Sequence, residues 1–112
     1  EADLMFDVRF LRNPHYVADL TARTGMEPDV AAYVAADPGY AEFMSRLENL
    51  LDFVLPLYQA EGKRHLVVAI GCTGGRHRSV AIAEALAARY EADLGATTAH
   101  RDAGKPPEVR GT

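Results

Sequence analysis

A glycine-rich loop between a short apolar run and a helical pattern is the feature that most constrains the fold of this chain. Residues 65–70 are rich in β-branched and other apolar side chains, which is typical of a strand covered on both faces. Residues 71–77 follow as a loop, and from residue 78 to about 93 apolar residues recur at helical spacing until Gly95. The sequence therefore predicts a strand, a loop and a helix in direct succession.

The first half of the chain also alternates between strand and helix patterns. Residues 4–10 place apolar side chains at every second position, which predicts a strand that ends in a turn at Pro14. Pro28 in a first turn and Asp37–Pro38 as a stop predict a short helix over residues 27–36, and apolar spacings of three, four and seven predict a longer one over residues 43–58. Pro56 is expected to kink or shorten the second of these helices.

Two further features complete the predicted architecture. Gly62 is expected to end the second helix in a left-handed conformation, and residues 97–100 can form another strand. Strands that alternate with helices predict an α/β fold, here a three-layer sandwich with a small, mainly parallel sheet. The glycine-rich loop would then be an anion-binding loop between a strand and a helix.

Length and charge limit the classes of protein to which the chain can belong. Its 112 residues suit one α/β domain over residues 1–102, followed by a disordered tail at residues 103–112. The net charge of −4 argues against a nucleic-acid binder that works by bulk electrostatics. One cysteine excludes a disulfide framework and a multi-cysteine zinc site, so no metal is expected.

The ends of the sequence and its hydropathy suggest where the protein resides. The chain opens without an initiator Met and without a signal peptide, so we expect a fragment of a longer, cytoplasmic protein. Its longest uncharged stretch, residues 66–75, is far shorter than a membrane span requires. No membrane partner is therefore expected.

The loop carries the residue types that bind an oxyanion. Amides at a helix start point toward a ligand, and Gly74 and Gly75 permit the backbone conformations that let them converge. Arg78 offers a planar fork of donors that matches phosphate. Further donors and positive charge come from Thr73, Arg76, His77 and Ser79. The alternative interpretation is an ordinary tight turn with solvated arginines.

Cys72 admits two interpretations. The spacing of Cys72 and Arg78 matches the Cys-x5-Arg loop of cysteine-dependent phosphatases, in which a thiolate attacks phosphorus. That family usually has His before the cysteine, whereas this chain has Gly71. The general acid would have to come from Asp19, Asp37 or Asp102, none of which lies in a recognisable motif. The alternative is a half-buried cysteine that packs the loop without catalysis.

Several segments, in order, resemble the C-terminal domain of the RapZ/YvcJ family. The resemblance covers most of the chain and rests on residues 7–15, 24–25, 68–80 and 100–102. Members of that family are bacterial cytoplasmic proteins with an N-terminal P-loop domain, and no P-loop motif occurs in this sequence. The resemblance therefore implies that ATP or GTP binds only in the N-terminal domain, with no cofactor in this one.

The resemblance also implies a function and a ligand site. It implies a domain that senses glucosamine-6-phosphate, self-associates, and in adapter members binds small RNA together with a ribonuclease or kinase partner. Three cations against two carboxylates in residues 101–112 predict weak RNA binding by this tail. The family pattern and the loop chemistry together give these ligand-binding residues: Asp7, Asn13, His15, Cys72, Thr73, Gly74, Gly75, Arg76, His77, Arg78 and Ser79.

The first three of these residues also have structural interpretations. Asp7 could pair with Arg9 at the end of the strand, Asn13 could cap the turn that follows it, and His15 could pack beside Tyr16. Together, however, these three residues follow the carboxyl end of a predicted parallel strand, so we interpret them as contacts to the sugar.

Overall fold

The computed structural model describes residues 2–73 and 75–100. These residues form two strands, one 3₁₀ turn and three α-helices. In chain order the elements are β1 (Leu4–Asp7), a 3₁₀ turn (Pro14–Tyr16), α1 (Pro28–Ala35), α2 (Tyr40–Ala60), β2 (Val68–Gly71) and α3 (Arg78–Leu94).

The two strands pair in parallel, in a register that aligns Leu4 with Val68 and Asp7 with Gly71. The α/β class and the parallel pairing are thus confirmed. The three-layer sandwich is not confirmed. Leu4 and Phe6 pack against the core that the helices share, whereas the Met5 side chain, on the opposite face of β1, is 72% exposed.

One apolar core lies between the sheet and the helices. Val8 follows β1 and is fully buried, and it shares this core with Leu51 of α2 and Ile82 of α3. α1 contributes Val34 to the same cluster. Because all three helices contribute to one core, the carboxyl end of the sheet and the start of α3 are held at the same place.

The proline and glycine residues that predicted helix ends lie at the ends of the observed helices. Pro28 occupies the first turn of α1, and Gly62 and Gly95 have positive φ values of 89° and 67° after α2 and α3. α2 continues past Pro56 to Ala60, so this proline does not shorten it.

Two strand predictions were wrong in detail. All four residues of β2 are half-buried, because β2 is an edge strand in the described sheet and is not covered on both faces. Residues 97–100 form no strand. Their side chains bind α3 instead: Thr98 Oγ1 and His100 Nε2 donate to Glu84 Oε2 at 3.0 and 2.6 Å. The predicted tail, residues 103–112, lies outside the described residues.

Candidate anion-binding site

The loop after β2 leads directly into the N-terminus of α3. Gly75 has a φ of +68°, a left-handed conformation that favours glycine. Among the described residues, the backbone amides of Gly75, His77 and Arg78 have no hydrogen-bond acceptor. The helix dipole adds partial positive charge at the same position. These amides are the described donors that the predicted anion site would use, and the anion site itself stays a prediction; Gly74 lies outside the described residues.

Arg78 is buried beside these amides, with 4% of its surface exposed. Its Nη1 donates to the carbonyl oxygens of Arg9 and Leu11, the latter at 3.2 Å. Its Nε is buried and has no hydrogen-bond partner among the described residues. Nη2 has no acceptor in this part of the chain either. Arg78 thus joins α3 to the segment after β1, and its Nε and Nη2 donors remain for a ligand.

The side chains of Arg76 and His77 point toward the loop that precedes α1. Arg76 Nη2 donates to the carbonyl of Ala22 at 2.7 Å, and His77 Nε2 donates to the carbonyl of Thr21 at 3.1 Å. Both side chains are buried. Burial lowers the pKa of His77, with the hydrogen bond to Thr21 opposing the shift. His77 is therefore neutral near pH 7, and its buried side chain holds two loops together.

Gly25 lies where this loop touches the start of α3. Its amide donates to the carbonyl of Arg76 at 2.8 Å. A Cβ at this position would lie 2.2 Å from the carbonyl oxygen of His77 and 2.5 Å from the amide nitrogen of Ala81. Chemical reasoning about the glycine-rich loop missed this residue. The signal that could have found it was the Thr24–Gly25 pair within the family resemblance.

Cys72 and Ser79 are joined across the loop. The Ser79 amide donates to Cys72 Sγ at 3.2 Å, and the Cys72 thiol lies 3.2 Å from Ser79 Oγ, to which it can donate. The thiol is half-buried. Among the candidate general acids, the Asp37 carboxylate accepts hydrogen bonds from the backbone amides of Arg12 and Gly39, each at 2.8 Å. Asp102 lies outside the described residues.

The three residues predicted near β1 make the local contacts considered above. Asp7 accepts the Arg9 amide at 3.0 Å and Arg9 Nε at 2.8 Å, and these bonds lower the pKa of Asp7. Asn13 Oδ1 accepts the His15 amide at 3.0 Å, so Asn13 caps the 3₁₀ turn. The His15 ring packs edge-on against Tyr16. Among residues 2–73 and 75–100, Asn13 Nδ2 and both ring nitrogens of His15 have no hydrogen-bond partner.

A cleft of about 1110 Å³ runs along β2 from the loop toward its amino end. Its wall at the loop includes Asp7, Cys72, Thr73, Gly75 and Ser79. Asn13, His15, Arg76, His77 and Arg78 do not line it. The fold therefore divides the predicted site residues that the structure describes. Five line the cleft, and the other five lie on the side of the loop that faces residues 9–25. Sequence reasoning also missed several polar lining residues, among them Arg9, Lys63, Arg64 and His100.

Comparison with known proteins assigns the chain to a family. Residues 1–104 match the profile described as the RapZ C-terminal domain. The chain belongs to the RapZ C-terminal domain family. Similar proteins include nucleotide-binding proteins of Brevibacillus brevis (55% identity, 94% of this chain and 36% of the relative), Paramagnetospirillum magneticum (62%, 78% and 28%) and Mycolicibacterium smegmatis (54%, 94% and 37%).

This RapZ C-terminal domain spans about a third of the length of the curated relatives that it matches. Within residues 2–73 and 75–100, no helix has the length and apolar character needed to cross a membrane. The same residues contain no group of three or more His, Cys, Asp or Glu side chains that could hold a metal ion. Family membership confirms the resemblance drawn from the loop motif.

Because the pKa of His77 is lowered in the folded state, the stability of the RapZ domain should depend on pH. Below about pH 6.5, the ordinary His pKa, the unfolded chain binds a proton that folded His77 resists. The free energy of unfolding is therefore expected to fall as the pH is lowered from 7 toward 5. Urea denaturation at several pH values measures this slope.

The matched variants for this experiment are His77→Gln and His65→Gln. His65 is exposed, so its replacement should leave the pH dependence unchanged. His77→Gln keeps a side-chain donor for Thr21 but removes the titrating group, so it should flatten the curve. An equal pH dependence in His77→Gln and the unsubstituted domain would show that His77 does not carry the effect.

Proposed function

We propose that this domain binds a phosphorylated sugar, glucosamine-6-phosphate or a similar anion, and acts as a regulatory sensor in a longer nucleotide-binding protein. The observation that carries the proposal is the buried Arg78 guanidinium at the start of α3, where the amides of Gly75, His77 and Arg78 have no acceptor among the described residues. A buried cation with unused donors is costly unless an anion completes its hydrogen bonds.

The charges around the loop favour an anionic ligand. Asp7 is the one carboxylate in the described part of the cleft wall, and its two hydrogen bonds to Arg9 offset its charge. The phosphate would accept hydrogen bonds from the loop amides and from Arg78, while Asp7, on the cleft wall, supplies a carboxylate for a sugar hydroxyl or an amine. Family membership supports the same ligand class through the resemblance of these motifs.

The sensor role places the domain in a bacterial, cytoplasmic and oligomeric protein. Its relatives are named nucleotide-binding proteins and are about three times as long as the matched region. The rest of such a protein would respond to binding of the phosphosugar in this domain. Small RNA and a ribonuclease or kinase are the partners that this role implies. The net charge of −4 makes this domain alone a weak RNA binder.

Calorimetric titration with glucosamine-6-phosphate, and separately with inorganic phosphate, tests the proposal. We expect saturable binding of both, tighter for the sugar phosphate because it adds contacts beyond the anion. Absence of heat at millimolar concentrations of both ligands, together with unchanged amide resonances for residues 75–79, would reject it.

Cysteine-dependent phosphatase activity is the second candidate, because the Ser79 amide at the start of α3 donates to Cys72 Sγ. We nevertheless expect Cys72→Ser to retain phosphosugar binding within about threefold, because Ser keeps a polar group of similar size for Ser79. Assay of the unsubstituted domain with an aryl phosphate should show no hydrolysis. Turnover that disappears in Cys72→Ser would favour the phosphatase instead.

A further inference from the structure

His100 lies on the cleft wall away from the glycine-rich loop, in a segment that α3 holds in place. Gly95 ends α3 in a left-handed conformation, so the chain reverses and runs back along the helix. His100 Nε2 then donates to Glu84 Oε2 at 2.6 Å, and Thr98 Oγ1 donates to the same oxygen at 3.0 Å. The imidazole is thus fixed by a carboxylate that itself has two partners.

The remaining ring nitrogen of His100 is available to a ligand. The side chain is 12% exposed, and Nδ1 has no hydrogen-bond partner among the described residues. Because Nε2 donates to Glu84, a neutral His100 presents Nδ1 as an acceptor, and a protonated one presents it as a donor.

The position of His100 relative to the loop suits the sugar end of a phosphosugar. Glu84 follows Arg78 by six residues on α3, which corresponds to about 9 Å along the helix axis. Cys72, Thr73 and Gly75 line the same cleft at the start of this helix. A phosphate on the loop amides would therefore direct the rest of a hexose phosphate along the cleft toward His100.

We propose that His100, held by Glu84, is a specificity-determining residue that binds a hydroxyl or amino group of the sugar through Nδ1. The inference rests on the proposed function, since it assumes that the phosphate occupies the loop. It predicts that His100 discriminates between a hexose 6-phosphate and inorganic phosphate, whereas residues of the loop bind both. Glu84 is a positioning residue that acts through the imidazole.

Calorimetric titration of His100→Ala with glucosamine-6-phosphate and with inorganic phosphate tests this assignment. We expect about tenfold weaker binding of the sugar phosphate, the loss of roughly one hydrogen bond, and unchanged binding of inorganic phosphate. Glu84→Gln should give a smaller loss of the same kind. His65→Ala is the matched control, because His65 lines the same cleft at the opposite end of β2.

The possible outcomes separate the two proposals. If the unsubstituted domain binds neither ligand, the proposed function fails and the role of His100 fails with it. If it binds both and His100→Ala binds both equally well, the loop site stands and the His100 assignment is wrong. A loss of affinity for both ligands in His100→Ala would also overturn the assignment. A residue that contacts only the sugar should leave the affinity for inorganic phosphate unchanged. Thermal unfolding of each variant shows that the fold is retained.

Discussion

Arg78→Ala is expected to abolish phosphosugar binding, with an affinity loss of roughly 100-fold or more. Charge-assisted hydrogen bonds from a guanidinium to phosphate are among the strongest in proteins, and burial of Arg78 limits competition from water. The substitution should also lower the free energy of unfolding by about 2–4 kcal/mol. The carbonyls of Arg9 and Leu11 would lose their donor inside the protein.

A second variant separates binding from stability. Arg78→Lys keeps a cation that can donate to one of the two carbonyls but lacks the planar fork, so it should recover part of the stability and little of the affinity. Arg46→Ala is the control, because Arg46 forms an exposed ion pair with Glu42 within α2 and should change neither quantity measurably. Calorimetry and urea denaturation measure the two effects. A folded Arg78→Ala domain with undiminished affinity would contradict the proposed site.

Gly25→Ala is expected to give a large loss of stability for a single added methyl group, about 3 kcal/mol. The new Cβ would lie 2.2 Å from the His77 carbonyl oxygen and 2.5 Å from the Ala81 amide nitrogen. Both are backbone atoms of the α3 N-terminus, so the helix or the loop must move, and cores tolerate such overpacking poorly. The movement should also weaken phosphosugar binding, because it displaces the amides of the loop.

Gly39→Ala provides the matched comparison. At that position the added Cβ meets only Asp37 Oδ1, at 3.4 Å, and the backbone has ordinary helical angles. Its effect on the free energy of unfolding should stay within about 0.5 kcal/mol, in either direction. Urea denaturation of both variants gives the comparison. If Gly25→Ala were as stable as Gly39→Ala, the close approach of the 20–25 loop to α3 would be wrong.

The sequence by itself determined much of the local structure. Apolar spacing predicted α2 and α3, Pro28 and Asp37–Pro38 predicted α1, and the glycine pattern predicted both helix ends at Gly62 and Gly95, because these signals depend on neighbouring residues alone. The loop motif also led to the correct family. Local patterns cannot count the layers around a sheet, since that number depends on where each helix packs, and the predicted third layer was not confirmed.

Only the tertiary structure decided which donors of the site remain for a ligand. The sequence shows three consecutive basic residues, but it cannot show that Arg76 and His77 bind carbonyls of residues 21 and 22 while Arg78 bridges residues 9 and 11. It also predicted a strand at residues 97–100, where Glu84 instead holds His100 against α3. These contacts join residues far apart in the chain, and their energies depend on burial and distance that exist only after folding.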